Sequence, residues 1–458
     1  MTLNKLLAQK SIQALQQDAA AADAVSLERS LGLFTLVSLG IGAIVGAGIF
    51  VITGQVAANH TGPSIVLSLI LAALGCTCVG LCYAEFASLI PVAGSAYTYA
   101  YATLGEIFAW IIGWDLVLEY LFSASTIAVG WSGYLVSLLA DMGLRLPPAF
   151  TQPPYNLPAM GIIAVITALL VVGIRKSSQA NTVLVAIKVL AILMFIGFGL
   201  FFINQQNWMP LVPANTGEFG VFGWSGVLRG SAMANVTQEA RQPQRTIPQA
   251  ILIALLIATV LYIGVSLVML GIVPYQELNV PDPIALAVNA MGDSFRWFRP
   301  VIKLAALAGL SSVILVQLLA QARILYTMAT DGLLPRALTQ VHPQFKTPYL
   351  ATVGSGLVSL IFAGCLPIEV LANLVSIGTL LAFAIVSIAV LMLRWQKPDL
   401  ERPFRVPLMP WIPLVGAFTA IMQMLSFSPA NWIRLLGWLL VGLLIYFVYG
   451  YRRPREVE

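Results

Sequence analysis

Apolar stretches of about 20 residues or more, each long enough to cross a ~30 Å hydrocarbon core as a helix, recur along the whole chain. They lie at 31–58, 63–89, 105–138, 157–174, 180–203, 248–273, 299–330, 348–366, 371–394, 411–427 and 433–450. A twelfth stretch, FGVFGWSGVLRGSAMANVTQEA at 219–240, is weaker, because it holds Arg229, Asn235, Gln238 and Glu239 among four glycines. Positive charge arbitrates. Lys and Arg collect before residue 31, at Arg175/Lys176, Arg241/Arg245, Arg336/Lys346, Arg394/Lys397/Arg402/Arg405 and Arg452/Arg453/Arg455. If 219–240 crosses, all these segments share one side with the N-terminus; if it does not, every later one faces the other way. Basic loops stay on the cytoplasmic side, so the pattern predicts twelve spans with both termini cytoplasmic. Three regions follow: a cytoplasmic N-terminal segment 1–30, a core of ten spans over 31–394, and the last two spans with a cytoplasmic tail over 395–458. In the first region Ile12, Leu15 and Ala19 fall at helical spacing, which predicts an amphipathic helix on the membrane surface.

Composition agrees. Of 458 residues, 59% are hydrophobic and 9% charged, with a mean hydropathy of +0.89. A soluble protein carries roughly 25% charged residues, so an ordinary globular enzyme is excluded, as are disordered and collagen-like chains. The net charge of +5 is slight and scattered, which excludes a nucleic-acid partner. The first thirty residues have no apolar core, so no signal peptide is expected. Three of the four cysteines (Cys76, Cys78, Cys82) share one apolar run, Cys365 stands apart, and the two histidines, His60 and His342, are distant. That spacing predicts no metal site and no cofactor. The class is an all-α polytopic protein of the cell membrane, with Lys5, Lys10 and Arg29 placed to meet membrane lipids.

The first span carries the most unusual chemistry. GIGAIVGAGIFVITG at 40–54 places four glycines within nine residues, each costing a helix about 0.5–1 kcal/mol relative to Ala. Small residues at this spacing serve close helix packing. They also suit a helix that unwinds at mid-membrane, where freed N–H groups and a positive half-helix end hold a carboxylate and freed carbonyls face an ammonium. An amino acid bears both charges on one carbon. The candidate substrate-binding residues are Ile41, Gly42, Ala43, Val45, Gly46, Ala47 and Gly48.

Ionisable residues inside spans are costly unless paired. Asp115 and Glu119 stand four apart in the third span, hence on one face, and Lys188 lies within NTVLVAIKVLAILMF of the fifth. A cationic partner for Glu119 is the natural expectation, although a lysine near a helix end can also snorkel. Glu85, closing the second span, suits a gate or loop contact. Tyr97, Tyr99 and Tyr101 suit an interfacial aromatic belt, Arg323 and Asp331 a structural pair, and Gln317 and Gln321 positions facing a pathway.

The 40–54 segment resembles the first-helix signature of the amino acid–polyamine–organocation (APC) superfamily. YTYAYATLGEIFAWIIGWDLVLEY (97–120) is similar to the third-helix region of its cationic amino acid transporter family. GWSGYL (130–135), LLAQARILYTMATDGLLP (318–335), VSIGTLLAF (375–383) and RPFRVPLMPWIPLVG (402–416) continue the likeness over nearly the whole chain. The resemblance implies a LeuT-like fold of two inverted five-helix repeats, with helices 1 and 6 discontinuous, plus two extra helices. It also implies that Lys188 takes the place of a sodium ion and changes protonation, so that protons drive transport.

The sixth span departs from the family. Its flanks match, but the aromatic-glycine-phenylalanine core is missing, and Arg229 to Glu239 reaches only ~17 Å as a helix. To cross, the segment must recruit 219–228 and bury Arg229 near its middle. The readings are therefore a proton-coupled symporter of L-amino acids, a facilitative uniporter of cationic ones, or a transport-inactive paralogue acting as sensor or partner subunit. No enzyme is expected, since no nucleophile–base pair or phosphate loop appears.

Overall fold

The computed structural model describes residues 8–10, 37, 40–42, 44–89, 95–173, 178–238 and 248–451. Those residues are helices and connections. The first helix covers 40–44 (Ala43 lies outside the described residues), bends at Val45 and Gly46, and resumes as α1, residues 47–61. Then follow α2 (Ile65–Leu89), α3 (Ser95–Thr103), α4 (Glu106–Asp141), α5 (Leu157–Val172), α6 (Ser178–Gly199) and α7 (Gly223–Gln238). The second half holds α8 (Pro248–Ile272), the short α9 (Pro283–Ala290), α10 (Phe298–Thr330), α11 (Tyr349–Cys365), α12 (Ile368–Gln396), α13 (Trp411–Leu425) and α14 (Pro429–Ile445).

Among the described residues each of the twelve apolar stretches is represented by a helix, but not all are equal. Among the described residues seven helical runs are long and apolar enough to cross a membrane, one of them Gly48–Leu89, which turns at Gly62 (φ +59°). Three shorter apolar helices, α5, α11 and α13, have 15–17 residues. The weak α7 falls in neither group. It recruits Gly223 onward and buries Arg229 near its middle, so its 16 residues span about 24 Å.

Local signals set the ends. Asn156 caps α5 by accepting from the Ala159 N–H, and Gly173 stops it in the left-handed region. In α12, Glu369 sits in the first turn and Arg394 in the last, each sign matched to the helix dipole.

The core is built on α4 and α12. In the most apolar windows of these two helices 78% and 83% of residues are buried, against at most 56% in the other spanning helices. Such all-round burial marks helices shielded from lipid by their neighbours. α10 lies along α4, α5 pairs with α11, and α14 docks its Trp438 on Trp114 with ring centroids 4.9 Å apart.

Several sequence expectations change here. Asp331 binds Lys10 (2.5 Å) and the Tyr97 hydroxyl (2.6 Å), while Arg323 is exposed. Lys10 thereby pairs with a residue at the end of α10. Tyr97, Tyr99 and Tyr101 are buried, not belted at an interface: Tyr99 stacks on Phe86 and Tyr101 donates to Glu106. The Tyr97 and Tyr101 hydroxyls find partners inside, which removes their need for water. Glu85 does make a loop contact, accepting from Arg394 and from the Val406 N–H. The proposed surface helix near Ile12–Ala19, with Lys5, Arg29, Glu239, Arg241 and Arg245, lies outside the described residues.

Candidate functional site

The bend at Val45 and Gly46 interrupts the ladder of the first helix and leaves carbonyls to be satisfied. Side chains from two other helices do this. Lys188 Nζ, on α6, donates to the carbonyls of Gly42 (3.2 Å) and Val45 (3.3 Å). The Tyr262 hydroxyl, on α8, donates to Ile44 O at 3.0 Å. Lys188 is 1% exposed. Its stem passes Gly309 of α10 so closely that a Cβ there would lie 3.2 Å from the lysine Cγ and Cε. Further along, the Tyr134 hydroxyl of α4 donates to Phe50 O at 2.7 Å.

Beside the bend is a cavity of about 40 Å³, room for roughly three waters. Ile44, Gly46, Ala47, Gly48 and Ile52 form one wall, and Ser123, Thr126 and Ile127 of α4 a second. Val313 and Gln317 of α10, with Ala372 and Val375 of α12, complete it. Gln317 Nε2 donates to Ser123 Oγ across the cavity at 2.8 Å. None of these lining residues is charged.

Of the seven candidate binding residues, Gly46, Ala47 and Gly48 line the cavity. Gly42 and Val45 serve Lys188 instead, and Ile41 O accepts from the Val45 N–H. Ala43 lies outside the described residues. Lys188 and Glu119 face different partners: Glu119 Oε1 accepts from Thr379 Oγ1 of α12 at 2.7 Å. Asp115 also lies against α12, its Oδ1 3.0 Å from where a Gly378 Cβ would stand. Both acids are buried but neither lines the cavity.

Gln317 was legible as a pathway residue; Gln321 is buried without lining the cavity. Ser123 and Thr126 continue the stripe begun by Asp115 and Glu119 at spacings of four, four and three, a signal available in the sequence. No such periodicity marks Tyr262, Ala372 or Val375.

Comparison with known proteins gives the family. The family described as amino acid permease matches residues 31–449. The chain is 42% identical over 443 residues to the methylthioribose transporter of Bacillus subtilis (strain 168), covering 93% of this chain and 94% of that one. It is 41% identical over 461 residues to the branched-chain amino acid permease BcaP of the same organism, covering 97% and 98%. Against the vacuolar cationic amino acid transporter 4 of Arabidopsis thaliana it is 36% identical over 394 residues, 81% of this chain and 64% of the plant protein. A multi-pass helical chain with an interrupted first helix, matched over nearly its full length, belongs to the amino acid permease family of the APC superfamily.

Proposed function

We propose that this protein carries small neutral L-amino acids across the cell membrane, coupled to protons, in a LeuT-like arrangement of twelve spans with both termini cytoplasmic. The observation that carries the reading is Lys188 seated on the Gly42 and Val45 carbonyls at the helix break. A buried ammonium there stands where a bound cation would satisfy the same oxygens. Losing its proton would release helix 1, linking a proton to the conformation of the site. The uncharged lining and the Gln317–Ser123 bridge favour a small neutral substrate over a cationic one, since no carboxylate lines the cavity to pair with a charged substrate side chain. Two of the relatives named above carry amino acids by name and one carries methylthioribose, a neutral sugar derivative, so that compound belongs in the test.

A second reading, a transport-inactive sensor or partner subunit, is favoured by one observation. Among the described residues α7 supplies nothing to the cavity.

Both are tested by uptake into proteoliposomes of labelled alanine, arginine and methylthioribose, with and without an inward proton gradient. The expected result is gradient-driven accumulation of alanine, abolished in Lys188→Ala with the protein still folded. Arginine or methylthioribose uptake instead would overturn the substrate, undiminished accumulation by Lys188→Ala would overturn the coupling, and binding without uptake would establish the second reading.

A further inference from the structure

In a site built at two helix breaks, the sixth span forms the wall facing the first. Here, among the described side chains of α7, Arg229, Ser231 and Asn235 are engaged elsewhere. Arg229 donates to Ser426 O (2.9 Å) and Asn373 Oδ1 (3.1 Å), and its guanidinium lies 3.9 Å from the centre of the Phe427 ring. Asn235 donates to Gln423 Oε1 and accepts from the Cys76 thiol, and Ser231 accepts from Gln423. These partners belong to α2, α12, α13 and the turn after α13, so these polar side chains of α7 are spent on neighbours that are not part of the cavity lining.

α12 stands in its place. Ala372 and Val375 are three apart, on one face of a helix that is continuous from Ile368 to Gln396. They are 0% and 1% exposed, and both line the cavity. Asn373, next to Ala372, holds Arg229, which fixes α12 against α7 at that level. An unbroken helix keeps its N–H and C=O groups within its own ladder. This wall therefore offers the substrate no hydrogen bonds, only shape.

We propose that α12 replaces the sixth span as the wall of the substrate site, and that Val375, with Ala372, sets the largest side chain the site admits. This rests on the amino acid transport reading. Polar recognition of the substrate then falls to helix 1, Ser123, Thr126 and Gln317, while selection by size falls to α12. Trimming Val375 opens the wall; enlarging it takes up the cavity's volume of about 40 Å³.

The test is equilibrium binding of labelled alanine, with leucine as competitor, to purified protein in lipid nanodiscs. Wild type is compared with Val375→Ala, Val375→Phe and, on α7, Ala232→Ser. One or two methylenes in an apolar pocket are worth about 10–200-fold in discrimination. Val375→Ala is expected to move the leucine-to-alanine affinity ratio at least about tenfold toward leucine, and Val375→Phe to weaken alanine by about tenfold or more. Ala232→Ser is expected to leave the ratio unchanged. An unmoved ratio in Val375→Ala, or a ratio that follows Ala232→Ser instead, overturns the assignment while alanine binding still upholds amino acid recognition by the protein. No amino acid bound by folded wild type overturns both.

Discussion

Asp282 shows how one residue can carry a pH dependence. It sits in the connection between α8 and α10, outside the spanning helices, between two prolines that fill glycine notches. A Cβ on Gly133 would meet Pro281 at 2.8 Å, and one on Gly54 would meet Pro283 at 2.3 Å. The groups facing Asp282 are Ser137 and Tyr134 of α4 and Lys303 of α10; Lys303 is itself paired with Asp141 at 2.5 Å. Burial pushes the Asp282 carboxyl from 3.8 up to about 7, against the opposing pull of Ser137 and Lys303. The folded state thus binds this proton more tightly than the unfolded one. Its contribution to stability is present below 3.8 and is lost as pH rises through about 7. Melting temperatures of the purified protein are expected to fall between about pH 5 and about pH 8, and the Asp282→Asn variant to fall less over the same range. Equal slopes for the two proteins would remove Asp282 as the source.

At the scale of elements, α7 is held by the absence of side chains. A Cβ on Gly226 would stand 2.2 Å from the His60 carbonyl oxygen, and one on Gly230 would stand 2.3 Å from Thr61 Cγ2. The first obstacle is backbone, which cannot rotate away. Gly226→Ala is therefore expected to destabilise by about 1–3 kcal/mol, as overpacking does. Gly437→Ala in α14, where nothing lies within 4 Å, is expected to be neutral or stabilising by up to about 1 kcal/mol through helix propensity alone. Thermal melting of the two variants side by side checks the contrast, and similar shifts for both would mean that α7 is less tightly seated than its glycines imply. The same packing explains why a poor helix former is helical here. Its hydrogen bonds to α2, α12 and α13 and its contact with helix 1 override a weak intrinsic preference.

At the scale of the molecule, Glu85 joins three parts of the chain. At the end of α2 and 1% exposed, it accepts from Arg394 Nε (3.0 Å) and Nη2 (2.7 Å) of α12 and from the Val406 N–H (2.7 Å), with Arg402 Nε 3.2 Å away. Removing one partner of a buried pair leaves the other uncompensated, at about 3–5 kcal/mol. Glu85→Gln keeps the shape and loses the charge, so a large drop in melting temperature and in monodisperse yield is expected. An unchanged melt would show that the remaining carbonyl contacts of Arg402 suffice.

Much of this protein was legible in its residues. Where the residues are described, the twelve apolar stretches are helical, because hydrocarbon leaves a backbone no other way to bond itself. The clustered glycines of 40–48 became a bend for the same local reason, and the need to recruit residues before Arg229 followed from length alone. What the sequence could not give was partnership across the bundle. Lys188 and Glu119 read as a natural ion pair, yet one satisfies carbonyls of the first helix and the other a threonine of α12. Asp331 found Lys10 and Tyr97 from distant parts of the chain. Ala372 and Val375 carry no motif, and only the folding of α12 against helix 1 turns them into a cavity wall. Helix formation depends on neighbours three and four residues apart, which a sequence displays; a polar contact or a cavity wall depends on which helices lie side by side, which only the tertiary structure decides.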